Sequence, residues 1–160
     1  MIAIVQRVTR ASVTVNGRIL SQTGPGMLVL AAVEAADTDP EIQWTAGKLA
    51  TLRIFPNAGK NFDLDLLQSK GPMLLVSNFT VAAETAKGRR PSLSNAAPPD
   101  RAREMFDKLV VAVRTLGIPV QTGEFGADML VDLANDGPVT FIVQTPRSPT
   151  APDITSLDRC

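Results

Sequence analysis

Several segments in the first half of the chain have the hydrophobic patterns of β-strands. Residues 1–8 follow the period-2 pattern of a half-buried strand. Asn16-Gly17, between two further β-type segments, is the dipeptide most typical of a two-residue hairpin turn. The apolar runs 27–33 and 73–79 have the length of buried strands, and the second leads into Thr80. Strands are therefore expected to dominate this part of the chain.

Two segments carry their apolar residues at helical spacing instead. Asp37-Thr38-Asp39-Pro40 is typical of a helix start, and the residues that follow predict a helix over 39–52. After Pro98-Pro99, a stripe with a period of 3.6 predicts a second helix, which Gly117 and Pro119 end. The stripe consists of Ala102, Met105, Phe106, Leu109, Val110, Val113 and Leu116.

The last part of the chain returns to the strand pattern. Strands over 129–133 and 139–145 are expected on either side of a turn at Asn135-Asp136-Gly137-Pro138. The whole pattern predicts an α+β fold, a single domain whose curved, barrel-like β-sheet is flanked by two main helices. The domain is expected to cover residues 1–145, and the Pro/Ser/Thr-rich tail 146–160 is expected to be flexible.

Composition limits the chemistry that such a domain can carry out. The 160 residues include no histidine, no tyrosine and a single cysteine, Cys160, which excludes Ser-His-Asp and Cys-His catalysis and a structural zinc site. A catalytic site must rely on hydroxyls, carboxylates, amides, cations or backbone dipoles, and no metal or cofactor is expected. The chain also has neither a signal-peptide pattern nor an apolar run of membrane-spanning length, which predicts a cytoplasmic protein without membrane contact.

The charges are balanced overall but unevenly distributed. Residues 86–114 carry seven basic against three acidic side chains, and Lys87, Arg89 and Arg90 stand close together. Such a segment can attract a phosphate-bearing partner, and it can equally be a solvated helix face.

Two polar segments at strand ends could carry chemistry. Ser77-Asn78-Phe79-Thr80 ends an apolar strand, and alternation would put Ser77 and Phe79 on one face and the other two on the opposite face. Consecutive backbone N–H groups at such an end can bind an oxyanion, although an ordinary capped strand end has the same pattern. In the second segment, Gly137 permits unusual backbone geometry and the peptide bond before Pro138 can be cis.

In their order and spacing, several segments together closely resemble the D-aminoacyl-tRNA deacylase family, formerly described as D-tyrosyl-tRNA deacylases. The resemblance runs from Met1 to about Thr145. It rests on Val5-Gln6-Arg7-Val8, Ala11-Ser12-Val13, Leu52-Arg53-Ile54-Phe55, Gly59-Lys60, Val76-Ser77-Asn78-Phe79-Thr80, Gly88-Arg89-Arg90-Pro91-Ser92, Gly123-Glu124-Phe125-Gly126-Ala127-Asp128-Met129 and Asn135-Asp136-Gly137-Pro138-Val139-Thr140.

The resemblance implies a homodimeric cytoplasmic enzyme that hydrolyses the ester between a D-amino acid and the 3′-terminal adenosine of tRNA, with mischarged glycyl-tRNA as a further substrate. The family's Gly-cisPro motif falls on Gly137-Pro138. In the family this motif enters the partner subunit's pocket, where its carbonyls exclude L-amino acids. The catalytic signature falls on residues 77–80, and Arg7 and Met129 match positions that line or brace the pocket. Lys87, Arg89 and Arg90 would then face the acceptor-stem phosphates.

The resemblance leaves two mechanisms and several activities open. Backbone N–H groups of Phe79 and Thr80 could polarise the ester while the RNA's 2′-hydroxyl positions water, or Thr80 could act as a nucleophile; the first ranks higher because no neighbouring base activates that hydroxyl. Asn78 stands where the family usually has glutamine, which shortens the amide arm. A relaxed deacylase of glycyl- or L-alanyl-tRNA and a non-catalytic tRNA-end-binding module are the alternative functions.

Overall fold

Residues 1–146, which the computed structural model describes, form eight strands and three α-helices. The strands are β1 (Ile2–Val15), β2 (Arg18–Thr23), β3 (Gly26–Ala32), β4 (Phe55–Asn57), β5 (Lys60–Leu64), β6 (Met73–Ser77), β7 (Val120–Thr122) and β8 (Leu130–Gln144). The helices are α1 (Asp39–Thr51), α2 (Leu66–Ser69) and α3 (Pro99–Thr115). Apart from Pro146, the expected tail lies outside the described residues.

The long strand β1 organises a six-stranded sheet. It pairs antiparallel with β3 through residues 2–8, with β2 through residues 11–15, and with β8 along most of its length. Strand β6 joins β3 in parallel and β7 joins β6 in parallel. The Gln22 backbone N–H on β2 donates to Gln121 Oε1 on β7 at 3.0 Å, so the two ends of the curled sheet meet. The predicted barrel-like sheet is confirmed.

The two faces of the sheet bury separate apolar clusters, because side chains alternate along each strand. On β6, Met73 and Leu75 belong to the cluster under the helices, whereas Leu74 and Val76 belong to the cluster inside the barrel. Strand β3 divides in the same way. A strand buried on both faces is apolar throughout, which is why these segments read as continuous apolar runs.

The two predicted main helices both form. Helix α1 covers Asp39–Thr51 and α3 covers Pro99–Thr115, and each turns its apolar stripe onto the outer face of the sheet. A capping box starts α1: the Thr38 backbone N–H donates to Glu41 Oε2 at 2.9 Å, and the Thr38 hydroxyl donates to the same oxygen. These bonds lower the pKa of the Glu41 carboxyl below its ordinary value of 4.5.

The predicted turn between two final strands is wrong, because β8 continues through residues 135–138. Gln6 pairs with Thr140 and Val8 pairs with Asn135, so the residues between Asn135 and Thr140 bulge out opposite a single residue of β1. The Asn135 side chain bridges the bulge: its Oδ1 accepts from the Val139 N–H at 2.6 Å and its Nδ2 donates to Val139 O at 3.2 Å. A side chain thus supplies the hydrogen bonds that keep the strand together.

The expected strand over 73–79 is two residues too long. Strand β6 ends at Ser77, and residues 79–82 form a 3-10 helix with Asn78 as its N-cap. The alternation that would place Ser77 and Phe79 on one face therefore stops at Asn78. The β4–β5 hairpin, the short helix α2 and the strand β7 were not predicted, since all are too short to show a periodic pattern.

The capping box leads to a stability prediction. Thr38→Ala removes one partner of the Glu41 carboxylate and should lower the free energy of unfolding by about 1 kcal/mol at neutral pH. Because folding lowers the Glu41 pKa, this contribution is complete above 4.5 and is lost as the pH falls through the folded-state value. Urea unfolding of both proteins at neutral and acidic pH measures the difference.

Thr51→Ala is the matched control for this measurement. Thr51 is an exposed threonine at the other end of α1, where its hydroxyl donates only to the Gly47 carbonyl. Its replacement should change stability by less than about 0.5 kcal/mol at any pH, since alanine has the higher helix propensity. A difference between wild type and Thr38→Ala that persists unchanged in acid would contradict the role of the Glu41 carboxylate.

Candidate active site

A cavity of 430 Å³ opens where β6 ends, between α3 and residues 125–131. Four of the predicted site residues line it: Ser77, Asn78, Phe79 and Met129. The opposite side is formed by Ala102 and Phe106 of α3 and by Phe125. The cavity therefore combines apolar walls with a polar strand end, which is typical of a small-molecule or substrate-end site.

The Asn78 side chain shapes the strand end by holding Thr80. Asn78 Oδ1 accepts from the Thr80 backbone N–H at 3.2 Å and from the Thr80 hydroxyl at 2.5 Å. The Asn78 N–H itself donates to the Ala31 carbonyl of β3 at 2.8 Å, and this hydrogen bond attaches the end of β6 to β3. The Thr80 hydroxyl thus donates its proton to an amide oxygen, which is not a base. The backbone N–H of Thr80 is also hydrogen-bonded to that oxygen.

Phe79 is the residue at this strand end whose backbone donor is free. Its N–H has no hydrogen-bond partner among residues 1–146, because it is the first residue of the 3-10 helix. Phe79 is 57% exposed, and it lines the cavity. A free N–H on a residue that lines a cavity can donate to an oxygen that becomes negative during a reaction.

The Met129 side chain closes the cavity next to Gly123. A Cβ atom added at Gly123 would lie 2.5 Å from Met129 Sδ, so the thioether rests directly on the glycine backbone. The absence of a side chain at residue 123 thus sets how far Met129 projects into the cavity.

The remaining predicted pocket residues lie apart from this cavity within the described chain. Gly137 and Pro138 are exposed, are joined by a cis peptide bond, and do not line the cavity. Arg7 does not line it either; it lies in β1 opposite the bulge. Its Nε donates to the Asp136 carbonyl at 3.0 Å and lies 3.1 Å from Asp136 Oδ2, while Nη1 donates to Ile54 O at 2.7 Å. Arg7 therefore braces the backbone just before Gly137.

The three predicted tRNA-binding cations share one exposed loop. Backbone hydrogen bonds of 2.9 Å in both directions between Glu84 and Ser92 close this loop, which begins just after the 3-10 helix. Lys87, Arg89 and Arg90 are exposed, and none of them forms an ion pair within residues 1–146. Their charge is thus available to a partner.

Sequence reasoning missed the aromatic wall of the cavity. In the sequence, Phe125 is visible only as part of the motif 123–129, and Phe106 only as part of the apolar stripe of a helix. The signal that could have found Phe125 is its glycine-flanked position in Gly123-Glu124-Phe125-Gly126, since a large apolar residue in such a loop needs a packing partner. Residues 1–146 contain no cluster of three potential metal-ligating His, Cys, Asp or Glu side chains. The described helices include none that is long and apolar enough to cross a membrane.

Comparison with known proteins gives the family. The family model described as "D-Tyr-tRNA(Tyr) deacylase" matches residues 4–144. The "D-aminoacyl-tRNA deacylase" of Geotalea uraniireducens (strain Rf4) is 49% identical over 92% of this chain and 96% of its own length. That of Geobacter sulfurreducens (strain ATCC 51573 / DSM 12127 / PCA) is 48% identical over 91% of this chain and 95% of its own.

Solved structures show the same fold. A structure titled "c-Myc DNA Unwinding Element Binding Protein" superposes with a TM-score of 0.89 and 36% identity, covering 92% of this chain and all of that one. One titled "Structural Analysis of a probable eukaryotic D-amino acid tRNA deacylase" gives a TM-score of 0.79 at 18% identity, covering 89% of this chain and 97% of that one. The family model and the curated relatives match nearly the whole chain, and they show that the protein is an enzyme, a deacylase. The chain belongs to the D-Tyr-tRNA(Tyr) deacylase family, which confirms the resemblance seen in the sequence.

The Gly123–Met129 contact leads to a prediction about the cavity. Gly123→Ala should push the Met129 side chain into the cavity and raise the KM for substrate several-fold, with little change in melting temperature, since the atom that moves is the flexible end of a thioether. Gly24→Ala is the control, because a Cβ there would meet nothing within 4 Å. Equal KM values for wild type and Gly123→Ala would contradict this account of the cavity wall.

Proposed function

We propose that this deacylase hydrolyses the ester of D-aminoacyl-tRNA at the cavity beside β6. The Phe79 backbone N–H donates a hydrogen bond to the carbonyl oxygen of the ester. The observation that carries the proposal is the unpartnered N–H of Phe79, a residue that lines the cavity. Water adds its oxygen to the acyl carbon, the bond to the 3′-oxygen of the terminal adenosine breaks, and a proton passes to that oxygen. The products are a free D-amino acid and tRNA.

The proposed chemistry needs no side-chain base. An aminoacyl ester is an activated acyl group, so a preorganised donor and a positioned water supply much of the acceleration. The 2′-hydroxyl of the same RNA residue would position the water, as the family resemblance implies. A Thr80 nucleophile is disfavoured, because its hydroxyl donates to Asn78 Oδ1 and therefore has no base to take its proton. Asn78 acts through backbone geometry in this scheme, by capping the 3-10 helix.

Chirality would be read by a second copy of the chain. Gly137 and Pro138 are exposed and lie outside the cavity of their own chain, and Arg7 and Asn135 hold the bulge that presents them. A bulge held in this way can insert into a partner's cavity, where its carbonyls would leave room for hydrogen on one side of the substrate Cα. L-Amino acids would be excluded and glycine admitted, so mischarged glycyl-tRNA would also be a substrate.

The edge of the sheet supports such a homodimer. Within residues 1–146, β8 pairs only with β1, and it exposes Leu130, Phe141 and Ile142, the last to 72%. Phe62 adds an exposed ring that contacts Phe141 edge-on, with centroids 6.1 Å apart. Large apolar side chains on an open edge are typical of an interface, and Gly137 lies between Leu130 and Phe141 on the same strand.

The basic loop would bind the nucleic acid. Lys87, Arg89 and Arg90 lie just beyond the 3-10 helix that begins with Phe79, so phosphates of the acceptor stem could contact them while the 3′ end enters the cavity. A relaxed activity that extends to L-alanyl-tRNA is the alternative. Hydrolysis of D-, glycyl- and L-alanyl-tRNA measured side by side distinguishes the two.

Comparing a proline with an alanine at residue 79 separates the effect of the N–H from that of the phenyl ring. Proline is accommodated at the first position of a helix, and Asn78 has an extended backbone, with φ −148° and ψ 92°, rather than the helical one that a following proline disfavours. Phe79→Pro should therefore fold normally and lower kcat by about 10²- to 10³-fold, the usual effect of losing one oxyanion donor. Phe79→Ala, which keeps the N–H, is the control and should retain much more activity. Single-turnover hydrolysis of D-aminoacyl-tRNA compares them, and equal rates would exclude the N–H as the donor.

Mixing two inactive variants tests whether Gly137-Pro138 acts on the partner. Gly137 has φ +147°, and an added Cβ would lie 2.5 Å from Val139 Cγ2, so Gly137→Ala should distort the bulge. A distorted bulge should obstruct the partner's cavity and inactivate that site. Dimers of Phe79→Pro with Gly137→Ala contain one intact site if the motif acts in trans, so the mixture should recover about a quarter of wild-type activity. A mixture no more active than its components would contradict the shared site. Thermal melting of each variant checks its folding.

A further inference from the structure

Arg103, which lies outside the cavity, contacts Phe125 of the aromatic cavity wall. Arg103 is an exposed residue of α3 that does not line the cavity. Its guanidinium carbon lies 4.7 Å from the centroid of the Phe125 ring, and its Nη2 donates to the Phe125 carbonyl at 3.2 Å. A single side chain therefore contacts both the ring and the backbone of a cavity residue.

Phe125 depends on such contacts for its position. It lies between β7 and β8 in a segment without regular secondary structure, next to Gly126, whose φ is +81°. Within this turn, the Ala127 N–H donates to Glu124 O at 3.2 Å. The ring also packs against Phe106 with centroids 6.3 Å apart and planes inclined by 52°. Helix α3 thus holds Phe125 through one aromatic and one cationic neighbour.

We infer that Arg103 is a positioning residue for substrate binding, which acts through Phe125 by fixing the wall against which the substrate end packs. The inference rests on the proposed function. A cation over an aromatic face and a charge-assisted hydrogen bond to the neighbouring carbonyl restrain the ring before substrate arrives. A restrained wall loses less conformational freedom on binding, so the effect falls on affinity rather than on the chemical step.

Kinetics of single and double variants test the coupling between Arg103 and Phe125. Arg103→Ala should raise the KM for D-aminoacyl-tRNA about 3- to 10-fold and change kcat less than about 2-fold. In a Phe125→Leu background the same substitution should have a much smaller effect on KM, because the ring is gone and only the hydrogen bond to the carbonyl of residue 125 remains. Arg103→Lys should be intermediate, since an ammonium keeps the charge but lacks the planar fork that reaches ring and carbonyl together.

A direct contact between Arg103 and RNA phosphate gives a different result. If Arg103 contacted phosphate, Arg103→Ala would raise KM equally in the wild-type and Phe125→Leu backgrounds and would flatten the salt dependence of binding. Either finding overturns the inference. Arg114→Ala is the matched control: Arg114 is on the same helix and donates Nη2 to the Val120 carbonyl at 3.0 Å, so its loss should leave KM unchanged.

Amide hydrogen exchange provides a readout that does not depend on activity. Arg103→Ala should speed exchange of the Ala127 amide in the substrate-free protein, whereas Arg114→Ala should not. If the wild type is inactive on D-aminoacyl-tRNA, the proposed function fails, and the exchange data still test the contact. An active wild type with unchanged exchange and unchanged KM in Arg103→Ala overturns the inference alone.

Discussion

The buried guanidinium of Arg7 is the interaction on which the arrangement of the site depends. The residue is only 8% exposed, and a cation so far from water must be paired and hydrogen-bonded to be tolerated. It meets this need by contacting Asp136, Ile54 and Asn61, which belong to three separate parts of the chain. Removal of any partner would leave charge unsatisfied, so the bulge, the loop after α1 and the β4–β5 hairpin are fixed relative to one another.

The two polar segments have a common design, in which a side-chain amide replaces a missing backbone partner. Asn135 bridges the bulge of β8, and Asn78 caps the turn at the end of β6. In each case the backbone groups left exposed by the irregularity are the ones to which the proposal gives a function: the carbonyls near Gly137 and the N–H of Phe79. Regular sheet would have used those groups for its own hydrogen bonds, so the irregularities are what make them available to a ligand.

The sequence predicts the helices and strands in which a hydrophobic pattern repeats. It does not predict the features that depend on the hydrogen bonds or contacts of single side chains. Helix α3 and strands β3 and β6 were predicted because burial on one or both faces leaves a periodic trace over many residues. The continuity of β8 was missed because proline lacks an N–H and the pattern breaks there, while the bridging role of Asn135 exists only in three dimensions. The end of β6 was misplaced for the same reason, since the cap formed by Asn78 has no periodicity. Phe125 joins the cavity through tertiary contacts with α3, and no local pattern reports them.

The N–H at the end of β6 has a consequence for inhibition. A peptide N–H does not titrate in the range where proteins fold, and it forms no covalent adduct with acylating or alkylating reagents. In the proposed mechanism the enzyme presents no nucleophile to trap, so compounds that rely on a reactive warhead have nothing at this centre to modify. An effective inhibitor would instead have to mimic the tetrahedral intermediate, including the negatively charged oxygen that the Phe79 N–H would stabilise. A phosphonate analogue of the aminoacyl ester has this charge and shape.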